Sequence, residues 1–244
     1  MIDALSVAAS MMSDDTQRLN TISYNLANVT TTGFKRQRTI AVPFQKHLAT
    51  QSVDGSFSAL PVTLPGNAIQ TDTHAGMLRQ TSQPLDVAIE DTGFFEIKTP
   101  QGLAYTKRGD FHLNAQGNLV TYAGDPVMGV GGTIRLNTSE PVIDQNGTIF
   151  DRDQQIGQLK IMHFSNPETL VRQEGSSFIP SDKTQQDPAG YPKVRQGHLE
   201  ASNVTSMEEM VRIIETMRHF ESAQKIVQGY DEMMDKALTK LGQF

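Results

Sequence analysis

The chain has 244 residues, 37% of them hydrophobic and 20% charged, which is enough to bury a full core and too mixed for a disordered tail. Its formal charge of −6, from 21 Lys plus Arg against 27 Asp plus Glu, argues against a nucleic-acid binder, which needs basic surface to neutralise phosphates. With no Cys there is no disulfide framework, Cys-ligated metal or thiol nucleophile; no run approaches the ~20 apolar residues of a membrane-spanning helix, so protein partners are expected and membrane insertion is not.

All eleven Pro fall between Pro43 and Pro192, and sixteen of the nineteen Gly between Gly55 and Gly197. Because Pro costs about 3 and Gly about 1 kcal/mol inside a helix, this placement predicts helical ends around a turn-rich β centre, an α+β fold. In the first segment Leu5, Met12, Leu19 and Leu26 recur every seven residues, flanked by Ile2, Ala8, Ala9, Ile22 and Val29, the pattern of a coiled-coil seam. No Lys or Arg precedes Arg18, so the basic start of a secretory signal peptide is missing and any export is expected to use another route. The stretch from Pro43 to Gly76, with Pro61 and Pro65 among Ser, Thr and Gly, reads as an irregular connection.

Short alternating runs follow, with turn signals every 8–12 residues, as in an all-β domain. Leu85, Val87 and Ile89 alternate, then Phe95 and Ile97, Phe111 and Leu113, Ile134 and Leu136, Leu159 and Ile161; turns are expected at Pro100 to Gly102, Asn114 to Asn118 and Asp144 to Gly147. The last segment returns to helical spacing through Met210, Ile213, Met217, Phe220, Ala223, Val227, Tyr230, Met234, Ala237 and Leu241. Residues ~204–241 are expected as one helix of roughly 55 Å, capped at Ser202 or Asn203, with Gly229 a weak point. A lone amphipathic helix cannot cover its own apolar face, so the two terminal helices are expected to pair with each other and with neighbouring subunits. Eight of the eleven Met lie in these segments, where they fill a core or form an adaptable contact surface.

Reactive constellations are missing. The six His show no i, i+4 pair for a metal, and no phosphate-cradling loop or nucleophile elbow occurs. Gly129-Val130-Gly131-Gly132 and the stretch Asp144, Asn146, Gly147, with Asp151 and Asp153 beyond, read as turns rather than as nucleotide or calcium loops. Glu90 and Asp91 are neighbours on a strand and point to opposite faces, unlike the facing acids of a glycosidase. No catalytic residue, cofactor or metal is expected. The one basic cluster, Lys35, Arg36 and Arg38, is too small for nucleic acid; it reads as solvated or paired with acidic residues, for instance within 198–244, where eight Asp plus Glu face five Lys plus Arg.

The segment Asn25-Leu26-Ala27-Asn28-Val29-Thr30-Thr31-Thr32-Gly33-Phe34-Lys35 resembles the N-terminal signature of the bacterial flagellar rod and hook proteins. Pro84 to Ile89, Gly93-Phe94-Phe95, Tyr105-Thr106, Gly109, Phe111 and Gly117 to Val120 resemble that family's β-domain. Gly197-His198-Leu199-Glu200-Ala201-Ser202-Asn203-Val204, with Glu209-Met210-Val211 and Arg218 to Glu221, resembles its C-terminal helix motif. Met11 and Asp91 stand where the family often has Gly. The compact connection between Lys35 and Leu85 and the segment 129–132 resemble the proximal-rod member more than the distal one.

The resemblance implies a structural axial subunit of the flagellar basal body, exported by the flagellar type III apparatus without a cleavable signal peptide and assembled in the periplasm. Its partners would be other rod subunits and copies of itself, with contact to the surrounding ring proteins left open. Residues 1–34 and 198–244 would form the axial helical domain, 35–76 a connection and 77–197 the β-rich outer domain. The expected interface residues are Leu5, Met12, Leu19, Ile22, Asn25, Leu26, Asn28, Gly33, Phe34, Met210, Ile213, Met217, Phe220, Val227, Tyr230, Met234 and Leu241. A distal-rod or hook-type subunit, a peptidoglycan hydrolase of the envelope and a coiled-coil adhesin with a β head are the competing readings.

Overall fold

The computed structural model describes residues 2–41, 67–152, 154–173, 176–181, 186–188 and 192–241. Helix α1 spans Ile2–Ala27 and helix α2 spans Ser206–Leu241, with the strands between them, so the expected α+β order holds. Two compact units form, one from 1–26, 37–70 and 205–244 and the other from 27–36 and 71–204. Among the described residues no helix is long and apolar enough to cross a membrane.

In the helical unit, 36 residues of α2 make a rod of about 54 Å, unbroken at Gly229. Its first turn carries Glu208 and Glu209, which complement the positive end of the helix dipole. The helix begins later than expected, after Thr205, whose carbonyl accepts from Glu209 N at 3.1 Å; Ser202 and Asn203 are not its cap. Strands Gln37–Ala41 and Asn67–Thr71 pair with each other at the two ends of the stretch expected to be irregular, most of which, residues 42–66, lies outside the described residues.

The β unit is built on a six-stranded antiparallel sheet in the order Val171–Arg172, Ser177–Ile179, Gly102–Thr106, Phe94–Thr99, Ile161–Phe164, Gln186–Pro188. At its centre Thr99 pairs with Gly102 across the two-residue turn Pro100-Gln101, where the sequence places it. Side chains alternate across a strand, and both faces of this sheet are covered. Phe95, Ile97, Ala104 and Ile161 enter one cluster with Val87, Ile89, Phe111, Leu119, Ile134, Leu136, Ile149 and Leu159. Phe94, Tyr105 and Met162 face the other way, with Phe164, Leu170 and Phe178. Every alternating pair read from the sequence lies in the first cluster or, for Leu85 and Leu113, packs against it. Phe95 and Phe111 meet edge to face at 5.1 Å, as do Phe94 and Phe164 at 5.5 Å.

Two turns share one chemistry. Asn114 Oδ1 accepts from Gln116 N and Asn118 N, while Asp144 Oδ1 accepts from Asn146 N and Thr148 N. Gly117 and Gly147 supply the positive φ each needs, +79° and +76°. The Asp144 carboxylate closes a turn, as its sequence context suggested. Residues 129–132 turn between two-residue strands that pair Gly132 with Gly129.

Candidate functional site

With no reactive constellation in the sequence, the site is sought in how the two terminal motifs are held and in the apolar surface the helices leave uncovered. On α1 the buried side chains include Ala8, Asp15 and Ile22, seven residues apart, with Thr21 and Asn25 beside them; Met12, Leu19 and Leu26 are half-buried and Leu5 is exposed. On α2 the buried positions are Glu209, Thr216 and Ala223, again seven apart, and Ile213, Phe220, Val227 and Tyr230 between them are half-buried. The covered stripe of each helix therefore steps by three and four residues, the spacing of one helix face.

Among the described residues, the helices meet at two places along their length. Asn25 Nδ2 donates to Glu209 Oε2 at 3.3 Å, and farther along, Leu5 and Ala8 line a crevice with Ile226, Val227 and Tyr230. Late α1 thus meets early α2 and early α1 meets later α2, so they run in opposite directions. Asn25 also exchanges both bonds with Gln37, donating to its carbonyl at 2.8 Å and accepting from its amide at 2.9 Å. The buried hydroxyls are satisfied within their own helices: Thr21 Oγ1 donates to Gln17 O at 2.9 Å and Thr216 Oγ1 to Arg212 O at 2.8 Å, which is how polar residues can occupy a covered stripe.

The stripe read from the sequence is shifted in part. Met210, Met217 and Met234 are not in it: they are exposed, together with Met207, Val211 and Ile214. Met207, Met210, Val211, Ile214 and Met217 recur at three- and four-residue steps and form a second, uncovered apolar face on the first three turns of α2. Leu241 is the last residue of the helix, and its side chain, like that of Ala237, lies outside the described residues.

In the β unit the N-terminal motif is gripped by the C-terminal one. Asn28, half-buried, accepts from Thr31 N at 3.1 Å through its carbonyl and from Thr31 Oγ1 at 3.2 Å through Oδ1, turning the chain after α1. Gly33 has φ +63°, and a Cβ there would stand 2.6 Å from Arg108 N, so glycine is required both by conformation and by space. Gly33 N donates to Glu200 O at 2.7 Å, and Arg36 N donates to Asn203 Oδ1 at 2.7 Å. Phe34 is fully buried, with the Arg172 guanidinium 4.3 Å above its ring.

Lys35, 1% exposed, donates to Glu200 Oε1 at 2.6 Å and to His74 O at 2.7 Å. Glu200 Oε1 also accepts from Gly76 N at 2.7 Å, while Oε2 lies 3.9 Å from Lys107 Nζ. Asn203 Nδ2 donates to Asp72 O and His74 O. Lys107, itself buried and donating to Asp91 O at 2.7 Å, has its pKa pulled down to about 8 by burial, against the pull of Glu200. Across the sheet, burial and the neighbouring Glu96 carboxylate push the Tyr105 hydroxyl up to about 12.

Lys35 and Arg36 are thus buried rather than solvated, and the acidic partner of Lys35 lies in the stretch 198–244, ahead of the helix rather than on it. The sequence singled out Lys35 and Glu200 as motif residues without pairing them, since 165 positions separate them. Glu209, Thr216, Asp15, Lys107 and Asn203 were missed as packed residues. The step of seven from Glu209 through Thr216 to Ala223 was the available signal, hidden because the first two are polar.

Three family models match the chain: flagella basal body rod protein over residues 5–35, the D1 domain of flagellar hook protein FlgE/F/G over 88–150, and the C-terminal part of flagellar basal body rod FlgEFG protein over 195–240. Among curated relatives, the flagellar basal-body rod protein FlgF of Mesorhizobium japonicum is 32% identical over 250 aligned residues, covering 99% of each chain. The flagellar basal-body rod protein FlgG of Buchnera aphidicola subsp. Schizaphis graminum is 33% identical over 263, and that of Bacillus subtilis 32% over 263, each covering 97% of this chain and 98% of its own.

Proposed function

The chain belongs to the family of flagellar basal-body rod proteins, and from that premise we propose that it is the family's proximal-rod member, carrying torque through packed terminal helices. The family is one of structural rod subunits that assemble with one another in the basal body, not of enzymes, and the hydrolase reading is not favoured. The observation that carries the mechanism is the uncovered apolar face of α2 from Met207 to Met217 beside a covered stripe that already steps by seven. The covered stripes pair α1 with α2 as a coiled coil, with the Asn25 to Glu209 bond toward one end and the crevice lined by Leu5, Ala8, Ile226, Val227 and Tyr230 toward the other. The uncovered face is left for neighbouring rod subunits and further copies of the chain.

In this reading Leu5, Met210, Met217 and Met234 become buried on assembly, and Leu241 extends the same contact. The helical unit forms the axial tube, the β unit its outer layer, and ring proteins meet the latter where they touch the rod. The chain reaches the periplasm through the flagellar type III apparatus. The proximal assignment is supported by compactness: alignments to FlgF relatives take 245 to 250 positions and to FlgG relatives 253 to 263. Electron microscopy of basal bodies from a strain lacking this gene, beside a complemented control, tests it. A rod stub ending near the inner membrane is expected; a longer stub would make this the distal subunit, and a complete rod and hook would overturn the axial role.

A further inference from the structure

We propose that Glu200 is the residue on which closure of the β unit waits, so that the segment from Gly33 to Arg36 docks only once the C-terminal motif has arrived. The unit joins 27–36 to 71–204, yet its larger apolar cluster runs from Val87 to Val194 and contains nothing from either terminal motif. That cluster can form first. Docking of the strap is a different event, because it carries a cation inside.

Lys35 Nζ ends 2.6 Å from Glu200 Oε1, and Lys107 Nζ, equally enclosed, ends 3.9 Å from Oε2. Without Glu200 two ammonium groups would share the interior, Lys35 donating to His74 O and Lys107 to Asp91 O, and an uncompensated buried charge is strongly unfavourable. The backbone of the strap depends on the same short stretch. Gly33 N bonds Glu200 O, Arg36 N bonds Asn203 Oδ1, and the Asn203 side chain holds the carbonyls of Asp72 and His74, while Gly76 N bonds Glu200 Oε1. Two residues near the end of the unit, Glu200 and Asn203, therefore fasten two segments from its beginning. A chain emerging N-terminus first would keep this strap undocked until residue 203 was free.

The test is hydrogen exchange on the full chain. During refolding, pulse labelling should find the amides of Lys98 and Leu119, which bond Pro126 O and Ile134 O in the sheet region, protected first, with Gly33, Arg36 and Gly76 protected later and together. In the native state Glu200→Gln leaves Lys35 with no carboxylate and Lys107 with only the weaker pull of Asp91, whereas Lys35→Met leaves Glu200 and Lys107 one to one. The amides of Gly33, Arg36 and Gly76 should therefore exchange at least tenfold faster in Glu200→Gln than in Lys35→Met, with Lys98 and Leu119 unchanged in both. A role limited to hydrogen bonding gives the reverse order, since Gln still accepts. Strap amides protected with or before Leu119, or Lys35→Met opening the strap as much as Glu200→Gln, would overturn the proposal. If Glu200→Gln fails to fold, the refolding order of the unaltered chain decides.

Discussion

The first three turns of α2 and the central hairpin of the β unit spend their apolar residues in opposite ways. In the hairpin, Phe94, Phe95 and Ile97 are buried and the chain covers them itself. On early α2 the buried positions are Glu209 and Thr216, while Met207 is 76% and Ile214 53% exposed. One region is a finished core. The other carries residues of core chemistry on its outside, and a helix gains most of its stability from packing such a face. In the proposed assembly the helical unit is completed by neighbours, whereas the β unit covers its own core.

The contrast can be broken most sharply at Phe95. Phe95→Ala removes a ring from the larger cluster and should cost about 3–5 kcal/mol, read as a fall in the urea midpoint of the monomer. A fall under about 1 kcal/mol would mean that the β unit is not self-sufficient.

Next in size is a pH effect inside the β unit. The Lys107 pKa is about 8 in the folded chain and 10.5 when unfolded, so below pH 8 both states hold the proton and the burial penalty stands in full. Between pH 8 and 10.5 the folded state has released its proton and the unfolded state has not, so stability rises, by on the order of 2–3 kcal/mol at pH 10. Tyr105 acts in the other direction. Its pKa, about 12 when folded against 10 unfolded, makes stability fall as pH rises past 10. Thermal melts across pH 7.5 to 11 should peak near pH 10, and Lys107→Met should remove the rising limb.

The smallest effect on the monomer sharpens the comparison from the other side. Ile214→Asp places a charge on an exposed site and should change monomer stability by no more than about 0.5 kcal/mol, yet it should block rod assembly, where an unpaired charge would enter an apolar contact. Motility and basal-body preparations read the second outcome. Normal assembly with Ile214→Asp would remove the early face of α2 from the interface.

Much of the β unit was legible because its information is local. Phe95 and Ile97, or Leu159 and Ile161, announce a face by their own spacing, and Asn114 and Asp144 announce turns through side chains that reach two to four residues ahead. The helical ends were legible from the placement of Pro and Gly. The register of α2 was not, because Glu209 and Thr216 look solvated by residue type, and Met210 and Met217 look buried by the same rule. Which face is covered is decided by Asn25 reaching Glu209 and by hydroxyls bonding to their own helix. The pairing of Lys35 with Glu200 was hidden for another reason: each sits in a recognisable motif, but nothing local links the two.

The turn at Asp144 also bears on how the protein ages. Asn146-Gly147 is the dipeptide most prone to deamidation in flexible chains, where the glycine amide nitrogen attacks the asparagine side chain to close a succinimide ring. Here that nitrogen donates to Asp144 O at 3.0 Å, and Gly147 is fixed at φ +76°. The Asn146 carbonyl is itself held by Gln158 Nε2 at 3.0 Å. The bond that closes the turn also keeps the nucleophile occupied, so the site should outlast the same dipeptide in an unfolded chain.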